Sequence, residues 1–139
     1  MIKGYTTGVF DLFHIGHLNI IRRAKEQCDY LIVGVSTDEL VEEYKKNPPV
    51  IPYEERKVII ESIKYVDEVV PQTSLDKVAA FEMYGFDVMF HGDDWSNSPL
   101  YIEAEKKLKK LGAKVVYFPY THGTSSTLLA EVLRKALTK

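Results

Sequence analysis

The chain lacks most of the features that narrow a function quickly. It has one cysteine, Cys28, in 139 residues. No internal disulfide can form, which suits a reducing, cytoplasmic setting with the thiol serving to pack. No apolar run approaches the roughly 20 residues that span a bilayer, which argues against membrane insertion. No cleavable leader is expected, because Met1-Ile2-Lys3-Gly4 runs straight into a strand-like segment. Neither sign of charge dominates: the formal net charge is −2. Nothing global therefore favours nucleic acid or an anionic membrane. Internal repeats and low-complexity stretches are absent. So are a Cys/His cluster of metal-site spacing and the G-K-[ST] ending of a Walker loop.

What is present is alternation. The length suits a single domain over 1–139. Strand-like runs at 2–7, 30–36, 67–71, 86–91 and 113–119 are separated by helix-like stretches at 17–27, 53–63, 75–84, 99–112 and 125–137. "YLIVGVS" (30–36) is almost continuously apolar, the pattern of a strand covered on both faces. Pro71 is expected to stop the third strand. Gly85 and Gly112 are expected to end their helices. Five strands alternating with helices predict an α/β, Rossmann-like parallel sheet with helices on both faces and right-handed crossovers. In such sheets ligands bind beyond the C-terminal ends of the strands, near the point where the strand order reverses.

Every unusual motif falls at such a strand end. "YTTGVFDLFHIGH" (5–17) places His14 and His17 around Gly16 at the first strand-to-helix turn. Gly8 permits a tight turn and close backbone approach, and free N–H groups at a helix start attract anions. Imidazoles there can donate to phosphate oxygens, more strongly as charge grows in a transition state. "YTHGTSST" (120–127) carries five hydroxyl residues around Gly123: Thr121, Thr124, Ser125, Ser126 and Thr127. An ordinary helix cap needs one, whereas converging N–H and O–H donors suit a polyphosphate. "HGDDWSN" (91–97) is good turn chemistry. Equally, Asp93 and Asp94 could orient a ribose or hold magnesium through water. "YKKNPPVIPYEERK" (44–57) strings Lys45, Lys46 and Arg56 along a Pro-rich loop of the kind that completes a phosphate site.

Together these motifs resemble a known family. "HIGH" (14–17) matches the H-x-G-H signature of the nucleotidyltransferase superfamily, and "THGTSST" (121–127) is similar to the R-T-E-G-x-S-T-T signature of cytidylyltransferases. "STDEL" (36–40), "YEERK" (53–57), "KYVDEV" (64–69) and "GDDW" (92–95) follow in the order and spacing of small bacterial glycerol-3-phosphate cytidylyltransferases. The resemblance implies that CTP and a phosphorylated alcohol give a CDP-alcohol and pyrophosphate by direct in-line attack. It assigns His14 and His17 to the α-phosphate, and Thr7, Gly8, Val9, Phe10 and Asp11 to the nucleotide loop, with Asp11 organising it. It assigns Gly92 and Asp94 to the nucleoside end. Tyr120, Thr121, Gly123, Ser125, Ser126 and Thr127 fall to the β- and γ-phosphates, assisted by one lysine of the pair Lys45 and Lys46. Arg56 would orient the acceptor or triphosphate. Magnesium is expected with CTP, and a homodimer with the "YVDEV" segment near its interface.

The chain departs from the family pattern at four places. Lys64 and Tyr120 stand where the pattern has arginine, Val9 where threonine is common, and Leu75 where the nearest relatives have tryptophan. Lysine keeps the charge and loses the bidentate fork. The acceptor therefore stays open among glycerol 3-phosphate, phosphoethanolamine, phosphocholine and a phosphosugar or phosphonate. A weakly catalytic nucleotide sensor and an adenylyltransferase are the other readings.

Overall fold

The computed structural model describes residues 1–45, 47–92, 98–119 and 126–137, the last from the backbone alone at 126 and 127. The element order is β1 (Lys3–Gly8), α1 (Ile15–Glu26), β2 (Tyr30–Ser36), α2 (Asp38–Tyr44), α3 (Tyr53–Glu61), β3 (Glu68–Gln72), α4 (Lys77–Tyr84), β4 (Val88–Gly92), α5 (Pro99–Lys110), β5 (Lys114–Phe118) and α6 (Ser126–Leu137). The five strands form one sheet in the order β3-β2-β1-β4-β5, with every pairing parallel. The chain first builds outward from β1 through β2 to β3. It then returns to place β4 on the other side of β1. The reversal between β1 and β4 leaves a crevice at their C-terminal ends.

Strand alternation divides the interior. Leu31, Val33 and Val35 of β2 and Val88 and Phe90 of β4 pack with Ile21, Ala24 of α1 and Ile60 of α3. Tyr5, Ile32 and Met89 point the other way, where Phe81 of α4 and Leu108 of α5 cover them. Burying each large aliphatic or aromatic side chain contributes about 1.5–3 kcal/mol, so both faces of the sheet hold their helices firmly. Pairwise alternation then sets Thr7, two residues beyond Tyr5, and His91, two beyond Met89, on the α4–α5 face.

Two expectations are corrected. Residues 38–44 form a helix that the apolar pattern does not announce. Its seven residues bury only Leu40 and Val41, and Thr37 caps it by accepting from the Leu40 N–H. Pro71 does not stop β3, which continues to Gln72. As the edge strand, β3 has no partner on its outer side to miss the absent N–H. The expected chain stops at Gly85 and Gly112 hold, with φ of 65° and 94°.

Candidate active site

The two histidines form the start of α1. His14 is the N-cap, and its Nδ1 accepts from the Gly16 N–H at 3.1 Å. His17, three residues on, reaches back so that its Nδ1 accepts from the His14 N–H at 3.3 Å. This is a capping box made of two imidazoles. It also fixes the tautomers. With both Nδ1 atoms accepting, a neutral ring carries its proton on Nε2. Both rings are neutral near pH 7. Burial lowers His14, and burial, His14 and Lys45 together hold His17 down at about 3. The rings stack with centroids 3.9 Å apart, which two imidazolium ions would resist. The result is a pair of aligned Nε2–H donors at a helix N-terminus, beside the reversal point.

The turn that delivers them is strained. Phe10 and Leu12 have φ of 55° and 51°, a region that costs a non-glycine residue energy unless its surroundings enforce it. Phe10 is buried in the α1–α3 core. Its ring meets His17 edge-on at 5.4 Å, and Phe13 flanks the same imidazole at 5.3 Å. A side chain at Gly8 would press on Phe10 at 3.0 Å. The Phe10 side chain thus positions His17 from the core side.

A polar network enforces the turn. Asp11 accepts from the Val50 and Ile51 N–H groups at 2.8 and 2.9 Å, clamping the Pro-rich segment to the β1–α1 loop. Arg56 is 1% exposed. It donates to the carbonyls of Ile51, Val9 and Ser36 at 2.7–2.8 Å and pairs with Asp38 at 2.6 Å. Asp38 also accepts from the Tyr53 N–H. The expected role of Arg56, direct contact with acceptor or triphosphate, is therefore revised. Its contacts among the described residues are to protein, and it is a positioning residue that joins the β1–α1 turn, the end of β2, α2 and α3. Asp11, expected to organise the glycine loop, bonds to the Pro-rich segment through Val50 and Ile51.

Lys45 follows α2 and lies close enough for its charge to act on His17 and Asp11. Thr7 and Gly8 are the last two residues of β1, and Gly92 is the last of β4. Ser126 and Thr127 open α6. Lys46, Asp94, Tyr120, Thr121, Gly123 and Ser125 lie outside the described residues. Lys64 is exposed, its ammonium 5.2 Å from the Tyr65 ring.

Sequence reasoning missed a second cluster across the crevice. Lys77, the first residue of α4, is 3% exposed, and its Nζ donates to Thr7 Oγ1 at 3.2 Å. The ammonium lies 5.4 Å from the Tyr101 ring, which meets His91 edge-on at 4.8 Å. His91 is 5% exposed, and its Nε2 is buried without a hydrogen-bond partner. Burial and the nearby Lys77 hold that imidazole neutral. The one available signal was a lysine opening an otherwise largely apolar helix, "KVAAFEMY".

A family model described as Cytidylyltransferase-like matches residues 5–132. The chain is 40% identical over 132 residues to glycerol-3-phosphate cytidylyltransferase of Bacillus subtilis (strain 168), covering 94% of this chain and 96% of that relative. It is 36% identical over 131 residues to ethanolamine-phosphate cytidylyltransferase of Arabidopsis thaliana, covering 91% of this chain and 31% of the longer relative. Among solved structures, the lipopolysaccharide core biosynthesis protein of Thermoplasma volcanium GSS1 superposes with a TM-score of 0.73 at 26% identity, covering 89% of this chain and 99% of that one. With the family model spanning nearly all of its length, the chain belongs to the cytidylyltransferase-like family.

Proposed function

We propose that this chain is a CTP-dependent cytidylyltransferase that joins CTP to a small phosphorylated alcohol, with sn-glycerol 3-phosphate the first candidate. An oxygen of the acceptor's phosphate attacks the α-phosphorus of CTP. The bond from that phosphorus to the bridging oxygen of the β-phosphate breaks, and pyrophosphate leaves with the electron pair. The products are a CDP-alcohol and pyrophosphate. No proton need move from the enzyme, so the work is positioning and charge stabilisation.

The observation that carries this reading is the histidine capping box. Two neutral imidazoles, their Nε2–H groups fixed as donors, suit the non-bridging oxygens of an α-phosphate. Neutral rings stabilise the growing charge by hydrogen bonding and do not act as acids. Lys45 adds positive charge beside them. The nucleoside end falls to Gly92 and Asp94, and the β- and γ-phosphates to the segment 120–127. Among the described residues no group of three or more His, Cys, Asp or Glu could hold a metal. The magnesium that belongs to this reading would accompany CTP, held mainly by phosphate oxygens and water.

Phosphoethanolamine is the second acceptor to test, because the match to an ethanolamine-phosphate enzyme spans the same region. A homodimer completes the proposal. Val58 and Ile59 of α3 are exposed side by side, close in sequence to the "YVDEV" segment. Among the described residues no helix is long and apolar enough to cross a membrane, which is compatible with the expected cytoplasmic setting. The decisive experiment measures pyrophosphate release with CTP or ATP against sn-glycerol 3-phosphate, phosphoethanolamine and phosphocholine, with product mass as readout. CTP-dependent release with one acceptor is expected. Release with ATP alone would favour the adenylyl reading, and CTP binding without release the sensor.

A further inference from the structure

A parallel sheet gives the molecule two unlike ends. All five strands run the same way. The crevice lies where they finish, and the strand starts lie about 20 Å away for strands of this length. The connecting helices return the chain to that second end, where α4 finishes at Tyr84 and α5 at Lys110. The two helices cover one face together, with Phe81 and Leu108 in a shared core. Phe86 and Ala113, which follow them, lie in the same core. The Lys114 N–H donates to the Asp87 carbonyl, so the C-terminal ends of α4 and α5 sit beside the starts of β4 and β5.

This end is basic in a chain whose net charge is only −2. Residues 106–114 read KKLKKLGAK, five lysines and no acid. Lys106, Lys107, Lys109, Lys110 and Lys114 are all exposed. None makes an ion pair among the described residues, where the pairs are Lys25–Asp67 and Arg56–Asp38. The dipole of α5 explains positive charge in its last turn, but not a run that continues into β5. Two large apolar side chains stand among the lysines. Met83, near the end of α4, is 71% exposed, and Leu111, the C-cap of α5, is 49% exposed. The acids close by are Glu82 and Asp87, and the Asp87 carboxylate already accepts from the Lys3 N–H. Glu103 and Glu105 lie further up α5, toward the crevice end. Across the sheet, at the start of β2, charge is balanced: Lys25 pairs with Asp67, and Asp29 accepts from the Ile2 N–H.

We propose that this end of the molecule, the C-termini of α4 and α5 with the start of β5, is a docking surface for an anionic lipid bilayer. Reversible adsorption takes two signals, charge and apolar insertion, and both are here. The ammonium groups meet acidic headgroups while their stems lie along the surface. Met83 and Leu111 enter the acyl boundary between them. Other partners fit this composition less well. Lysine is depleted at protein interfaces. Nucleic-acid grooves join charge to aromatic stacking, and residues 106–114 hold neither an arginine nor an aromatic. The attachment is peripheral, because among the described residues no helix is long and apolar enough to cross a membrane. It leaves the crevice facing away from the lipid and open to solutes. The proposal does not rest on the transferase reading.

The test is sedimentation of the full chain with vesicles. The wild type should bind vesicles of phosphatidylcholine mixed with phosphatidylglycerol at low salt and come off as salt rises. It should not bind phosphatidylcholine alone. Each lysine near an acidic surface contributes about fivefold to the partition coefficient. Lys107→Gln, Lys109→Gln, Lys110→Gln and Lys114→Gln combined should therefore lower it by about 100-fold or more. Met83→Gln with Leu111→Gln keeps every lysine and should lower it by about 10-fold, through lost insertion. All six positions are exposed, so melting temperatures should stay near the wild-type value. No binding of the wild type to acidic vesicles, or equal binding to both kinds, overturns the proposal. Undiminished binding by either variant does so as well. Retention on heparin without vesicle binding would assign the lysines to another polyanion and also overturns it. None of these readouts uses turnover, so failure of the transferase reading would leave them untouched.

Discussion

Among the described residues two cations are buried, and they live in opposite circumstances. Arg56 is surrounded by acceptors: three backbone carbonyls and the Asp38 carboxylate. Lys77 has a threonine hydroxyl and the face of a tyrosine. Both are almost fully covered. A guanidinium presents five donors in a fixed fork, which suits the task of joining several loops at once. An ammonium with two protons to spare does not hold anything together. A matched buried charge ties several loops together, while an unmatched one carries a burial cost that its partners do not offset.

The largest effect should come from breaking the matched cation. Arg56→Met leaves three carbonyls and a carboxylate without their donor, across a turn that already carries two strained residues. The expected cost is about 3–5 kcal/mol, the range for removing one partner of a buried ion pair. Arg56→Lys should recover only part of it, since one ammonium cannot span four acceptors. Denaturant unfolding reads both. A loss below about 1 kcal/mol in Arg56→Met would erase the contrast with Lys77.

Next in size is the histidine pair. His14→Ala and His17→Ala should each lower kcat by about 10²-fold or more, the magnitude for removing one transition-state donor. His14→Ala also removes a helix cap, worth about 1 kcal/mol. Since His17 is held down at about 3 and burial lowers His14 from its usual value, kcat should be flat from pH 6 to 8 as far as His17 is concerned, and any step due to His14 should fall below 6.5. A kcat that followed one protonation with a midpoint near 6.5 would contradict the neutral pair. Stability offers a second view. His17 titrates near 6.5 when unfolded and near 3 when folded. The unfolded chain therefore takes up a proton first, and its contribution to stability is lost as pH falls from about 6.5 to 3.

Much of this fold was legible beforehand. Alternating strand and helix patterns predicted the parallel sheet, and β2 betrayed its burial by its run of apolar residues. The histidine pair announced itself because its partners are local: the capping box closes within four residues. What sequence could not show depended on distant contacts. The partners of Arg56 are residues 9, 36, 38 and 51, and no periodicity reports such a convergence. Arg56 therefore read as a substrate contact. Lys77 was not singled out, because the contacts that bury it come from Thr7 and Tyr101, 70 residues before it and 24 after. The helix over 38–44 was missed for a different reason: "DELVEEY" is short and mostly charged, and its stability comes from a cap and two buried side chains.

The unmatched ammonium also predicts a response to alkali. Lys77 has its folded-state value lowered from 10.5 to about 8. Below about pH 8 both folded and unfolded chains carry the charge, and the burial cost is present in full. Between about 8 and 10.5 the unfolded chain keeps a proton that the folded chain has shed, so this group makes stability rise with pH. Tyr5 and other buried phenols act in the opposite direction as they ionise on unfolding. The useful quantity is therefore the difference between Lys77→Met and wild type, in which those contributions cancel. The stability advantage of the variant should shrink by about 1 kcal/mol per pH unit over pH 8–9.5. A difference independent of pH would mean that Lys77 is not held at a lowered value.

The smallest expected effect decides whether Lys77 is unmatched at all. Asp76 precedes it, and a carboxylate so near in sequence could serve as its counter-ion without direct contact. The geometry assigns Asp76 another task, since Oδ1 accepts from the N–H groups of Val78 and Ala79 at 3.0 and 3.1 Å. Asparagine caps a helix about as well as aspartate, and alanine does not. If Asp76 is only a cap, Asp76→Ala should cost about 1 kcal/mol. Asp76→Asn should then cost less than about 0.5 kcal/mol, chiefly from a lost favourable charge at the helix start. If instead Asp76 neutralises Lys77, removing its charge while keeping the cap should destabilise the fold as much as alanine does. Urea unfolding of the two variants, measured side by side, separates these outcomes.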